Sequence, residues 1–374
     1  MLIERILKKS ILKRWDDNKI IIITGPRQVG KTTLIHNICK SKGKYLVLNG
    51  DDFTTQELLK DFSKKKWQAI LGNYKTVFID EAQRIKNIGL GVKIIYDEIP
   101  NVKILLSGSS AIDLNSEIKE PLTGRKWEFN LFPISWQEWI NHTNFIDARS
   151  DLENRLLYGM YPEIILNEND KKNLLMELSS SYLYKDILEY GGIRNPKIIN
   201  DLLKALALQL GNEVSYNELA QLLQIDRATV EKYIDLLEKS YVIFKLQALN
   251  NNQRNEIKNS RKIYFYDNGV RNAIIQNFNP ISLRNDIGAL WENFVISERI
   301  KKNKYQKNYV FQYFWRNYYG QEIDYVEDIN GTYHAFEFKW NEKRKAKYPK
   351  AYQRLYPESS FQLINKGNFE EFVL

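Results

Sequence analysis

The stretch KIIIITGPRQVGKTT, residues 19–33, decides how the first part of the chain folds. Its run of isoleucines has no polar face, so it reads as a strand buried on both sides, as in parallel sheets covered by helices. Gly25, four further residues, then Gly30, Lys31 and Thr32 follow at the spacing of a phosphate-binding loop, and the helical TLIHNICK comes next. Glycines let backbone amides wrap phosphates at a helix N-terminus, where the helix dipole also favours negative charge. Gly25, Pro26, Arg27, Gln28, Val29, Gly30, Lys31, Thr32 and Thr33 are therefore the expected ATP cradle, with Lys31 bridging the β- and γ-phosphates and the Thr32 hydroxyl on Mg²⁺. A Gly-Pro turn with a chance lysine would not explain the flanking strand and helix.

Three more runs, KYLVLNG (44–50), KTVFIDE (75–81) and VKILLSGSS (102–110), each read as a strand buried on both faces, with amphipathic segments between them. Strands alternating with helices imply a parallel α/β sheet. The strand KTVFIDE delivers Asp80 and Glu81 to its C-terminal end, where ligands sit in open α/β sheets. Asp80 is expected to hold Mg²⁺ through its water shell, and Glu81 to orient and deprotonate the attacking water. Ser109, at the end of ILLSGS, either touches the γ-phosphate or that water from the neighbouring strand, or is a plain loop serine. Arg125 is either a surface arginine or one supplied to the transition state of a neighbouring subunit, which would require a homo-oligomer.

The 374 residues, 43% of them hydrophobic, suffice for two or three domains with their own cores. Against 46 Asp and Glu stand 55 Lys and Arg, a net +9 that favours a polyanionic partner such as DNA. The one cysteine, Cys39, excludes an internal disulfide framework and reads as a small buried apolar residue. MLIERILKKSILKRW is amphipathic and broken by charges, unlike a signal peptide, and no run approaches a membrane span, so a cytoplasmic protein is expected.

Between about 112 and 212 the β signal fades into helical patterns. SYNELAQLLQIDRATVEKYIDLLEKSYVIFKLQ, residues 215–247, opens on a Ser215/Glu218 capping box and reads as two short helices and a strand, a winged helix-turn-helix. Its second helix, with Arg227, Thr229 and Lys232, is either a packing element or a reader of the DNA major groove. The expected domains are 1–150, an ATPase; 151–250, helical with the winged helix; and 251–374, a further α/β unit.

In EIDYVEDINGTYHAFEFKW, residues 322–340, Asn330-Gly331 signals a two-residue hairpin turn. The register then opposes Ile323 to Phe338 and Tyr325 to Phe336 on an apolar face, and Glu322 to Lys339 and Asp324 to Glu337 on the other. Facing carboxylates repel, but a divalent cation between them would convert repulsion into ligation. Asp324 and Glu337, with Glu292 from the preceding helix and with Lys339 positioning a metal-bound water, form a nuclease-like set for a second Mg²⁺ or Mn²⁺. Beside them, NEKRKAKYPKAYQRLY (341–356) interleaves basic residues with Tyr348, Tyr352 and Tyr356, either to touch phosphates and bases or to pack the tyrosines inward.

With these residues quoted, the whole chain resembles the prokaryotic AAA+ ATPases with a C-terminal DUF4143 region. GPRQVGKTT, VFIDEAQ, LLSGSSA and LTGRKWEFNLFPISWQEW are similar to that family's successive ATPase motifs; YPEI, SYLYKDIL, IYFYDNGVRNAI, GALWENFV and WRNYYGQEIDYV with FEFKW are similar to its DUF4143 signatures. The resemblance implies a Walker B pair at Asp80 and Glu81, a sensor at Ser109 and an arginine finger at Arg125. For the C-terminus it implies a restriction-endonuclease-like PD-(D/E)xK fold with Glu292, Asp324, Glu337 and Lys339 as the nuclease-like set. Gly159-Met160 and Asp267-Asn268 depart from the usual Gly-Gly and Asp-Thr-Gly. Three functions follow: a DNA-associated ATPase moving its winged-helix and C-terminal domains, a nucleotide-controlled nuclease, or a non-catalytic ATP-binding switch.

Overall fold

The computed structural model describes residues 2–108, 121–167, 169–182, 195–249 and 260–374, so that Ser109 lies outside the described residues. Strands β1 (Ile20–Thr24), β2 (Leu46–Asn49), β3 (Thr76–Asp80), β4 (Lys103–Gly108) and β5 (Lys126–Asn130) form a sheet of order β2-β3-β4-β1-β5. Every pairing in it is parallel. Period-two alternation splits the isoleucines of β1 between two cores. Ile20 and Ile22 pack with Val77, Ile79 and Leu106 under Trp67, while Ile21 and Ile23 pack with Phe78 and Leu105 against Ile35 and Ile38. Cys39 is buried on the latter side, and desolvation pushes its thiol up to about 12, which suits an inert apolar role.

Two details differ from the sequence reading. Strand β2 is not buried on both faces, because it is the sheet edge; its Val47 is 40% exposed. Strand β5 closes the opposite edge from within a region where no strand was expected. Its five residues carry only one buried side chain, which leaves little strand pattern to see.

Helices Pro196–Leu208, Tyr216–Leu223 and Arg227–Lys239 pack in succession. The Ser215 hydroxyl accepts the Glu218 N–H at 3.4 Å, and the Asp226 carboxylate accepts the Thr229 N–H at 2.8 Å, so both short helices begin on capping residues. The chain then enters a second sheet of order β11-β10-β9-β8-β6-β7, made by β6 (Ile243–Ala248), β7 (Arg261–Phe265), β8 (Phe311–Arg316), β9 (Glu322–Ile329), β10 (Thr332–Lys339) and β11 (Ser360–Asn365). β6 pairs antiparallel with β7 and parallel with β8, so this sheet draws strands from both sides of residue 250. Helix Ile287–Gln306 lies against it, and no helix among the described residues is long and apolar enough to cross a membrane.

The hairpin register is as expected from Ile329 opposite Thr332 to Tyr325 opposite Phe336, with Asn330 and Gly331 both at positive φ, 54° and 86°. The expected faces need correction at the far end. The pairing of β8 with β9 shifts between Tyr313/Val326 and Trp315/Ile323, so β9 carries one extra residue there. A bulge of this kind resets the alternation. Ile323 therefore packs with Val326, Trp315 and Tyr352, while Tyr325, Phe336 and Phe338 join the core on the other face. The tyrosines of 341–356 also turn inward: Tyr352 is fully buried, and Tyr348 stacks on Phe361 at 4.6 Å rather than offering a face to bases.

The two departures from the family pattern meet in space. The buried Asp267 carboxylate accepts the Met160 N–H at 2.6 Å, and a Cβ on Gly159, at φ +72°, would stand 2.0 Å from Asp267 Oδ1.

Candidate nucleotide site and a carboxylate–lysine cluster

The phosphate loop joins the C-terminal end of β1 to helix Lys31–Lys42. Two glycines have no substitute there. A Cβ on Gly25, at φ +154°, would stand 2.0 Å from the Leu131 carbonyl oxygen, and Gly30 caps the helix at φ +91°. Gln28 also has positive φ, 60°, and Val29 is fully buried. The buried Lys31 ammonium donates to the Gly25 and Pro26 carbonyls at 2.9 and 2.7 Å, which stations it inside the loop's curve.

The loop meets the end of β3. The Thr32 hydroxyl donates to Asp80 Oδ2 at 2.8 Å, and the Ser107 hydroxyl of β4 donates to Asp80 Oδ1. Three oxygen groups thus converge beside Lys31. This donor set suits Mg²⁺, a hard cation that takes oxygen ligands. Glu81 follows with a left-handed backbone, φ 45° and ψ 46°, and its Oε2 accepts Gln83 Nε2–H at 2.6 Å. A non-glycine residue held this way costs about 1–3 kcal/mol, and such residues cluster at functional sites.

A cavity of about 440 Å³ lies beside the loop, lined by Ile3, Arg5, Gly30, Thr33, Asn37 and Ile134 among others. Ser107 and Gln83 were not singled out in the sequence. The pairing of Phe78 with Leu105 and Ile79 with Leu106 puts Asp80 next to Ser107, a neighbour relation visible only once strand order is known.

Arg125 sits elsewhere. Its backbone carbonyl accepts the Ile20 N–H, at the start of β1, so the length of that strand, about 3.3 Å per residue, separates it from the phosphate loop. Its guanidinium pairs with Asp97, Nε to Oδ1 at 2.9 Å.

The C-terminal set is assembled differently from the expectation. Glu292, Asp324, Glu337 and Lys339 do come together, with Glu322 and with Lys262 of β7, a lysine not foreseen. The Lys262 ammonium, 2% exposed, pairs with Glu292 at 3.3 Å and with Glu322. Lys339 pairs with Glu337 at 2.6 Å and stands 4.0 Å from Asp324, whose Oδ2 accepts the Phe338 N–H at 2.8 Å. Glu322 is therefore bound to Lys262 and not, as expected, to Lys339. Among the described residues no three His, Cys, Asp or Glu side chains are grouped to hold a metal ion. The repulsion between the carboxylates is relieved by two ammonium groups.

Burial pushes the Glu292 carboxyl from 4.5 up to about 7; Lys262 opposes the shift, and Asp324 and Glu322 reinforce it. Asp324 and Glu337 are also raised, first by burial. A carboxyl raised by folding stabilises the fold while protonated, so this contribution is full below about pH 4.5 and is lost as pH rises towards 7. The stability of the wild type relative to Glu292→Gln should fall across that window by up to about 3 kcal/mol, at roughly 1.4 kcal/mol per unit. Urea melts at several pH values check this; a constant difference contradicts the shift.

Comparison with known proteins finds similarity in three successive segments. Residues 17–140 match the AAA domain family, 149–280 a domain of unknown function (DUF8612) and 287–371 a domain of unknown function (DUF4143). An uncharacterized protein of Methanocaldococcus jannaschii is 26% identical over 96% of this chain and 84% of its own length. One of Haemophilus influenzae is 26% identical over 71% of this chain and 72% of its own. A solved Walker-type ATPase of Pyrococcus abyssi shares the fold with a TM-score of 0.52 at 17% identity, covering 73% of this chain and 96% of that one. The chain thus carries, in order, a segment similar to AAA domains, with a fold shared with a Walker-type ATPase, and a C-terminal segment similar to DUF4143.

Proposed function

We propose that this protein binds Mg²⁺·ATP between residues 25–33 and Asp80 and hydrolyses it, and that it works in association with DNA. The observation that carries the reading is the convergence of Thr32, Asp80 and Ser107 beside the Lys31 ammonium. Lys31 would leave its two carbonyl partners for the phosphates, and the open amides of the loop and helix N-terminus would receive phosphate oxygens. Thr32 and Asp80 would hold Mg²⁺, which neutralises phosphate charge when bound. Glu81, aimed by its backbone turn and by Gln83, would take the proton of the attacking water. Apolar walls at Ile3 and Ile134 suit the nucleoside end.

The DNA part rests on the net charge of +9 and on the exposed Arg227 and Lys232 at the second helix of the helix-turn-helix. Arg125, remote from its own phosphate loop, would serve a neighbouring copy if the protein assembles. The C-terminal carboxylates, already matched to lysines, favour a structural role over cleavage.

Calorimetry with folded protein and excess Mg²⁺ tests the site. The wild type should bind ATP, and Lys31→Ala should bind at least about tenfold more weakly, since charge-assisted hydrogen bonds to phosphate are lost. Absence of binding by the wild type removes the proposal.

A further inference from the structure

Arg5 lies before the segment that matches the AAA family, yet its side chain reaches into the phosphate loop. The residue is only 6% exposed. Nε donates to Glu138 Oε1 at 3.1 Å; Nη1 donates to the Val29 carbonyl at 2.6 Å; Nη2 donates to the Phe132 carbonyl at 2.5 Å and approaches the Tyr305 hydroxyl at 3.4 Å. Glu138, fully buried, also accepts the Ile6 N–H at 2.8 Å and the Ser135 N–H at 2.9 Å. The guanidinium fork is thus held rigidly by one carboxylate while another arm grips the loop.

The position of that grip matters. No peptide bond among the described residues is cis, and in a trans peptide the carbonyl and the following N–H point in opposite directions. Tying the Val29 carbonyl to Arg5 therefore turns the Gly30 N–H to the side opposite the Arg5 guanidinium. A Cβ built on Gly30 would meet no heavy atom within 4 Å beyond its two chain neighbours, so the backbone there borders open space. A loop carbonyl free to rotate would instead present an oxygen to an anion, which repels it.

We propose that Arg5 is a positioning residue of the nucleotide site, fixing the Val29–Gly30 peptide so that the Gly30 amide faces the phosphates. The proposal rests on the ATP-binding reading above. It also assigns the Arg5–Glu138 pair a purpose beyond joining the N-terminal segment to the helix Trp136–His142, since a purely structural pair has no need of the loop carbonyl.

Two full-length variants test it. Arg5→Lys retains a charge for Glu138 without a fork that spans Val29 and Phe132, and Arg5→Met with Glu138→Gln removes both charges, leaving no unpaired ion. Selective ¹⁵N-glycine labelling follows the Gly30 amide among 18 glycines, calorimetry measures Mg²⁺·ATP affinity, and thermal melts verify folding. In every variant that melts cooperatively, affinity should fall about tenfold or more, the loss of a well-aimed donor to a charged group, and the Gly30 resonance should move in the nucleotide-free protein. Wild-type affinity in a folded variant, or a Gly30 resonance that stays in place, overturns the role of Arg5 alone. Failure of the wild type to bind ATP overturns the nucleotide reading and this proposal together.

Discussion

Glu81→Gln should lower ATP turnover by about 10²–10⁴-fold, the range for loss of a positioned general base, while Mg²⁺·ATP binding survives. The amide keeps the size of the side chain and can still accept from Gln83, so the strained turn at φ 45° has no reason to relax. Only the capacity to take a proton is removed. In the proposed site binding would be carried by Lys31, Thr32 and Asp80, none of which the substitution would disturb. Single-turnover hydrolysis beside equilibrium binding separates the two. Turnover within a few-fold of wild type would move water activation to another group and leave the strain at Glu81 unexplained.

Lys262→Met should destabilise the C-terminal region by about 3–5 kcal/mol, the usual result of removing one partner from a buried ionic set. The ammonium is 2% exposed and touches Glu292 and Glu322, with Asp324 close enough to raise its affinity for the proton. Methionine fills the volume but leaves three carboxylates facing one another. Adding Glu322→Gln to the variant should recover part of the loss, because one of those charges is then gone. Urea unfolding followed by tryptophan fluorescence reads both, and a single variant within about 0.5 kcal/mol of wild type, the scale of a neutral surface change, contradicts the account.

The nucleotide loop and the acidic end of β3 were legible because their chemistry is written in contiguous residues. Glycine spacing, an isoleucine strand and a helix all stand within residues 19–42. Features that depend on which strand lies beside which were not. Ser107 reaches Asp80 only because β4 separates β3 from β1, Lys262 reaches Glu322 only because β7 and β9 belong to one sheet, and it reaches Glu292 only because the helix Ile287–Gln306 packs on β7. The hairpin register was readable from Asn330-Gly331, a local turn, but the extra residue in β9 is imposed by its other neighbour, β8. Pattern within a segment cannot report an irregularity set by a distant partner. Hence Ile323 was assigned to the wrong face. Likewise 341–356 shows basic residues and tyrosines alternating, and only the sheet beneath decides that the rings point down.

The pairing of β6 with β8 ties the helices Tyr216–Leu223 and Arg227–Lys239, which lead into β6, to the segment that matches DUF4143 through backbone hydrogen bonds. A ladder of that kind holds its strands more firmly than a flexible tether, so the helix pair and that segment should open and unfold together as one cooperative unit. Tyr241, just ahead of β6, touches Thr24 at the root of the phosphate loop, so the same unit bears directly on the parallel sheet.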